Sequence, residues 1–218
     1  AYSIQQTRDG GYVVAGYTSS ADGDVSGFQG GWSDCWVVKL NATGSIEWQK
    51  AFGGSDFDTV TSIQQTIDGG YIVAGNTVST DGDVSSFHGK GKRNIWVVKL
   101  NAKGSIEWQK TPGGSRWSDA SSIQQTTDSG YIVAGYTSSA DGDVSGFQGG
   151  WSDCWMVKLN AKGSIEWQKA LGGSDRDEAR SIQQTADGGY IVAGWTESTD
   201  GDVSGSHGSR DAWVVKLK

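Results

Sequence analysis

Ser3-Ile4-Gln5-Gln6-Thr7 returns as Ser62-Ile63-Gln64-Gln65-Thr66, as Ser122-Ile123-Gln124-Gln125-Thr126 and as Ser181-Ile182-Gln183-Gln184-Thr185, at spacings of 59, 60 and 59 residues. The residues around each copy repeat with it. A period of this length describes one supersecondary unit that cannot bury its apolar faces alone and stacks against copies of itself. The copies run into one another without a break in composition, and the one proline leaves no rigid linker. One domain of four units is therefore expected, at about 1–54, 55–114, 115–173 and 174–218.

Each unit carries strand-like runs separated by turn signals. In the second copy they fall at 62–66, 71–77, 96–100 and 106–110. The first two are joined by Asp68-Gly69-Gly70, matched by Asp9-Gly10-Gly11 and Asp187-Gly188-Gly189, whereas the third copy reads Asp128-Ser129-Gly130. Because the second glycine never varies, it is the one expected to need positive φ. The last pair is joined by Asn41-Ala42-Thr43-Gly44 and its copies, a second hairpin with glycine at the end. In the strand between, Trp36, Val38 and Leu40 share one face while Val37 puts an apolar group on the other, as a small sheet packed between neighbouring sheets requires.

Four antiparallel strands per unit with both faces buried describe an all-β, four-bladed β-propeller. Ile-Glu-Trp-Gln-Lys occurs three times, at 46, 106 and 165, while the other strands occur four times. A gap inside a sheet would strand two hydrogen-bonding edges, so the missing strand is expected at the outer edge of the last blade. That leaves Ser-Ile-Gln-Gln-Thr innermost. Its glutamines, Gln5 and Gln6 with their copies, would line the axis, bonding one another and nearby backbone or holding water or an ion. Two other arrangements are consistent with the same count: a segment of a larger ring, or an edge supplied by a second chain.

The stretch from Gly70 through Trp108 resembles a kelch-type blade, and Gly44-x-x-x-Trp48, Gly104-x-x-x-Trp108 and Gly163-x-x-x-Trp167 resemble the tryptophan-docking motif of quinoprotein-type blades. Two departures stand out. Gly16, Gly75, Gly135 and Gly194 are single where kelch blades carry a glycine pair, and Asn41, Asn101 and Asn160 sit where an aspartate is usual. The resemblance implies the blade architecture and no organic cofactor.

Composition narrows the function. With 34 glycines and 11 tryptophans in 218 residues, the chain suits short strands, tight turns and large aromatic fillers. A formal charge of −7, relieved only by the short Lys90, Lys92, Arg93 cluster, argues against nucleic acid. No apolar run approaches the ~20 residues of a membrane span. Cys35 and Cys154 recur at one position where the other copies have Ile95 and Ala212, which reads as packing rather than a disulfide.

Copies one and three are identical from Tyr17 to Trp36 and from Tyr136 to Trp155. Copies two and four differ there, with His88 and His207 in place of Gln29 and Gln148. A two-unit duplication is implied, and any site built from this stretch should occur twice. The loops between second and third strands, at 19–34 and its counterparts, are long enough to carry function.

Each loop opens with Asp-Gly-Asp-Val-Ser, placing Asp22, Asp24 and Ser26, then Asp81, Asp83 and Ser85, then Asp141, Asp143 and Ser145, then Asp200, Asp202 and Ser204. Two readings stand side by side. An Asx turn would use the side chain to hold backbone N–H groups. Alternatively, alternating oxygens followed by glycine resemble the first half of a calcium loop, closed by Asp211 in copy four, with Ser86 and Lys92 breaking the pattern in copy two.

Trp32 and Trp151 end two of these loops beside Asp34 and Asp153, and would stack on a sugar ring while the carboxylate accepts hydroxyl protons; the other reading folds each indole back on its loop. Trp117 and Trp195 also lie outside the repeat, singly. Carboxylate pairs such as Asp56 with Asp58 and Asp175 with Asp177 keep a glycosidase in view. The reading favoured is a non-enzymatic binding module, extracellular or at the cell surface, holding a glycan or surface protein through the loops, with calcium as a companion. The alternative is an assembly module that associates through its last blade edge.

Overall fold

A computed structural model describes residues 1–85, 87, 89 and 91–218. Ser86, His88 and Lys90, named above, lie outside the described residues. Among those described there is no helix, and fifteen strands form four antiparallel meanders of four, four, four and three strands. Sheet one contains β1 (Ser3–Gln6), β2 (Tyr12–Thr18), β3 (Asp34–Leu40) and β4 (Ile46–Phe52), and sheet two β5 (Asp58–Gln65), β6 (Tyr71–Thr77), β7 (Asn94–Leu100) and β8 (Ile106–Lys110). Sheet three contains β9 (Ser118–Gln125), β10 (Tyr131–Thr137), β11 (Asp153–Leu159) and β12 (Ile165–Leu171). Sheet four has β13 (Asp177–Gln184), β14 (Tyr190–Thr196) and β15 (Asp211–Leu217), with the outermost strand missing as the repeat count requires.

The first strand of sheets two to four is longer than the repeated pentapeptide indicates. β5 starts at Asp58 and passes a bulge between Val60 and Ser62, and β13 does the same between Ala179 and Ser181. A bulge adds an unpaired residue and lets the strand continue. Its upstream half differs between copies, so the repeat does not reveal it.

The chain forms two compact units, one of residues 1–85, 87 and 95–111, the other of 89, 91–94 and 112–218. Each holds a pair of sheets packed face to face. In the first unit Val13, Ala15, Cys35 and Val37 of sheet one meet Ile63, Tyr71, Val73, Trp96, Val98 and Leu100 of sheet two. In the second, Ile132, Ala134, Cys154 and Met156 of sheet three meet Ile182, Tyr190 and Val192 of sheet four, with Trp213, Val215 and Leu217 packed alongside. Burying each of the larger aliphatic side chains among these contributes about 1.5–3 kcal/mol. Cys35 and Cys154 are buried free thiols. The buried Trp96 and the half-buried Trp36 are also satisfied: Trp36 donates to Gln49 Oε1 at 2.9 Å and Trp96 to Gln109 Oε1 at 2.6 Å.

The first strands adjoin within each unit. Gln65 N donates to Gln5 Oε1 at 2.6 Å and Ile63 N to Ser3 Oγ at 3.2 Å; Gln184 N to Gln124 Oε1 at 2.6 Å and Ile182 N to Ser122 Oγ at 3.5 Å repeat the pattern. These glutamines bond neighbouring backbone.

The hairpin glycines correct the sequence reading. Positive φ falls on the first of the pair, at Gly10, Gly69 and Gly188, and on Ser129 at 65° in the third copy. The second is invariant for a different reason. A Cβ on Gly70 would lie 2.3 Å from Leu100 O and 2.6 Å from Lys99 Nζ. That lysine, 3 % exposed, bridges Asp68 at 3.0 Å and Glu107 at 3.0 Å, and Lys39 and Lys158 make the same two bridges.

Candidate functional site

The long loops are held by backbone donors. Ser55 N donates to Asp81 Oδ1 at 2.8 Å and Gly53 N to Asp83 Oδ2 at 3.3 Å, while Asp83 N returns a bond to Gly53 O at 2.7 Å. Asp141 and Asp143 hold Ser115 N and Gly113 N at 2.8 and 3.2 Å, and Asp200 and Asp202 hold Ser174 N and Gly172 N at 2.7 and 3.4 Å. Each of these three Asp-Gly-Asp turns thus clasps the Gly-Gly-Ser lead-in to its own sheet's first strand, 26 and 30 residues away. In the first loop Asp22 and Asp24 are exposed. Ser26 and Ser145 accept from Gln49 and Gln168 Nε2. Ser85 N donates to Gln109 Oε1 at 3.3 Å. Ser204 is exposed. Asp211 Oδ2 accepts from His207 N at 2.6 Å. Among the described residues no three His, Cys, Asp or Glu side chains gather as a metal-binding group.

Asp34 and Asp153 are fully buried. Gln29 N donates to Asp34 Oδ2 at 2.5 Å, and its side chain reaches Asp83 Oδ2 at 2.5 Å, so one glutamine ties sheet one to sheet two. Gln148 joins Asp153 to Asp202 in the same way. Burial, with the nearby charge of Asp58 or Asp177 adding to it, pushes Asp34 up to about 6 and Asp153 up to about 7. Trp32 and Trp151, two residues upstream, are the opposite case, 79 % and 78 % exposed. The sequence set Trp and Asp together; the fold puts the indole outside and the carboxylate inside.

Around Trp151 lies an open cleft of about 430 Å³, lined also by Trp117, Tyr136, Ser138, Ser152, Arg176 and Glu197. Trp117 carries the Arg93 guanidinium 5.4 Å from its ring centroid, and its carbonyl accepts Ser138 N at 2.8 Å. Tyr136 hydrogen-bonds the buried Asp119, and burial raises its hydroxyl pKa. Trp195 has the Arg176 and Arg210 guanidiniums over its ring, at 5.2 and 3.8 Å from the centroid, and Arg210 pairs with Glu197 at 2.9 Å. Asp177 N donates to Ser152 O at 2.7 Å, fixing the loop end that carries Trp151.

In the first unit Trp32 has Tyr17 and Phe57 at the corresponding positions, with the Tyr2 and Tyr17 ring centroids 5.9 Å apart and the rings tilted by 32°. Sequence reasoning passed over Tyr136, Arg176 and Glu197. The available signal was charge at variable positions: Arg176 and Glu197 replace Phe57 and Val78. The carboxylate pairs divide, with Asp56 and Asp175 exposed and Asp58 and Asp177 fully buried.

No known protein family matches the chain. It is 24% identical over 172 residues to the regulatory protein FlaEY of Caulobacter vibrioides, a match covering 73% of this chain and 18% of that protein. A crystal structure of a protein of unknown function from Bacteroides caccae aligns with TM-score 0.29 and 13% identity, over 82% of this chain and 64% of the other. The chain thus spans under a fifth of the first relative's length and under two thirds of the second's.

Proposed function

We propose that this chain is a non-catalytic, extracellular binding module whose second-unit cleft takes a sugar ring. The observation that carries the reading is Trp117 and Trp151 lining one cleft, 47 % and 78 % exposed. Indole faces match the apolar face of a pyranose, and the Ser138, Arg176 and Glu197 side chains supply the few polar groups that fix orientation. The buried Asp153 is a strut under Trp151, so the polar partners of a ligand come from the opposite wall. Packing of Trp48 against Gly104, whose added Cβ would lie 2.8 Å from the indole, supports kinship with the tryptophan-docked blades.

A glycan array, run with calcium and with chelator and followed by titration of tryptophan fluorescence, tests the proposal. Binding should weaken about tenfold or more in Trp151→Ala and in Trp117→Ala. Absence of binding across the array, or full affinity in both variants, overturns it.

A further inference from the structure

We propose that the sugar taken by the second-unit cleft is acidic, a pyranose bearing a carboxylate that the Arg176 guanidinium receives. The inference rests on the reading of the cleft given above and adds the chemical class of its ligand. The chain carries a formal charge of −7 and six arginines, yet five of the six, Arg93, Arg116, Arg176, Arg180 and Arg210, belong to the second unit. Two of them reverse what the repeat supplies elsewhere. Arg116 stands where other copies have Asp56 and Asp175, and Arg176 where they have Phe57 and Trp117.

These cations are not matched by the carboxylates they touch. Asp119 on β9 and Glu178 on β13 occupy equivalent positions, 6 % and 1 % exposed, and connect to the cleft lining through the Tyr136 hydroxyl and Arg176. Three guanidiniums hold these two groups: Arg93 lies 3.4 Å from Asp119, while Arg176 and Arg180 lie 2.5 and 2.6 Å from the two oxygens of Glu178. Burial raises the Asp119 pKa, which enlarges the positive surplus. Glu197, the acidic group of the lining, is cancelled by Arg210, whose Nε and Nη2 both donate to its Oε1 at 3.1 and 2.9 Å. Lys92, 6.0 Å from the Trp117 centroid, and the exposed Arg116 add charge beside that indole, against the exposed Asp175 next to Arg176.

Because charges beyond about 8 Å are largely screened at physiological ionic strength, this local surplus, rather than the −7 of the whole chain, sets the field in the cleft. Arg176 is placed to use it. Its side chain is 44 % exposed, and Glu178 retains Arg180 when Arg176 turns donors toward a ligand. A guanidinium fork takes a carboxylate through two parallel hydrogen bonds while the indoles of Trp117 and Trp151 take the apolar face of the ring.

A glycan array carrying each acidic glycan beside its neutral counterpart tests this, with uronic acids next to their methyl esters and sialylated chains next to desialylated ones. Pairs that bind are then titrated by tryptophan fluorescence at low and at high sodium chloride. The acidic member should bind about tenfold or more tighter at low salt, and the advantage should shrink at high salt. Arg176→Gln should bring the acid-to-neutral affinity ratio to about one; Glu178 keeps Arg180 in that variant, and circular dichroism checks its fold. The salt dependence is read on the wild-type chain and stands whether or not the variant folds. Equal affinity within every pair, an acid preference that survives Arg176→Gln, or a preference for sulfated over carboxylated glycans overturns the inference and leaves the sugar site in place. Binding to neither member of any pair overturns both readings.

Discussion

Asp34 of sheet one and Asp58 of sheet two meet at Gly53: a Cβ there would lie 2.5 Å from Asp34 Oδ1 and 2.6 Å from Asp58 Oδ2. Asp153 and Asp177 meet at Gly172 in the same way, at 2.8 and 2.5 Å. Two carboxyls from adjacent sheets share a glycine-sized gap, and Asp34 Oδ1 and Asp153 Oδ1 are buried without a hydrogen-bond partner. That arrangement favours a proton on one of the pair.

Stability should therefore fall as pH rises through neutrality. Asp34 at about 6 and Asp153 at about 7 bind protons more tightly folded than unfolded, so their contribution is complete below about 4 and is lost as pH climbs through 6 to 7. Asp68 and Asp128, held at about 2 by hydrogen bonds from their threonines and lysines against the opposing effect of burial, work in the opposite sense below about 4. Urea denaturation should show a maximum near pH 4–5 and a loss on the order of 2 kcal/mol per site by pH 8. Asp34→Asn with Asp153→Asn should flatten the alkaline side; an unchanged slope would contradict the assignment.

Gly69→Ser should cost less than about 1 kcal/mol, because Ser129 already adopts this conformation in the third hairpin. Gly70→Ala should cost about 2 kcal/mol or more, since its Cβ overlaps the backbone carbonyl of Leu100 and the Lys99 ammonium. Thermal melts of the two variants side by side would decide it, and the reverse ranking would reject the steric account.

Lys99→Met should destabilise by about 2 kcal/mol, as measured by chemical denaturation. It leaves Asp68 and Glu107 facing each other without the cation, although both carboxylates are about half exposed, which limits the loss. Lys216→Met should cost less, because Asp187 is the one carboxylate Lys216 bridges among the described residues and Lys216 is itself 37% exposed.

The melting temperature should be the same in calcium and in chelator. Asp81, Asp141 and Asp200 spend a carboxylate oxygen on the N–H of Ser55, Ser115 and Ser174, and an ion would have to displace those bonds. A rise with calcium would show that the loops bind it in preference to their lead-in strands.

Particular residues show where the sequence was legible and where it stopped. The repeat of Ser-Ile-Gln-Gln-Thr and the absence of a fourth Ile-Glu-Trp-Gln-Lys were enough to specify strand count, order and the short last sheet, because meander strands and hairpins form between neighbours in the chain. Trp32 and Trp151 were legible as exceptions to that repeat. The partners of Asp83 and Gln29, the steric role of Gly70 and the company Trp151 keeps with Trp117 and Arg176 were not. Those contacts join residues roughly 25 to 55 positions apart. Alternation and turn chemistry say which way a side chain leaves its own strand, but only the packing of one sheet on the next decides what it meets there, and so whether an aspartate beside a tryptophan becomes a ligand or a strut.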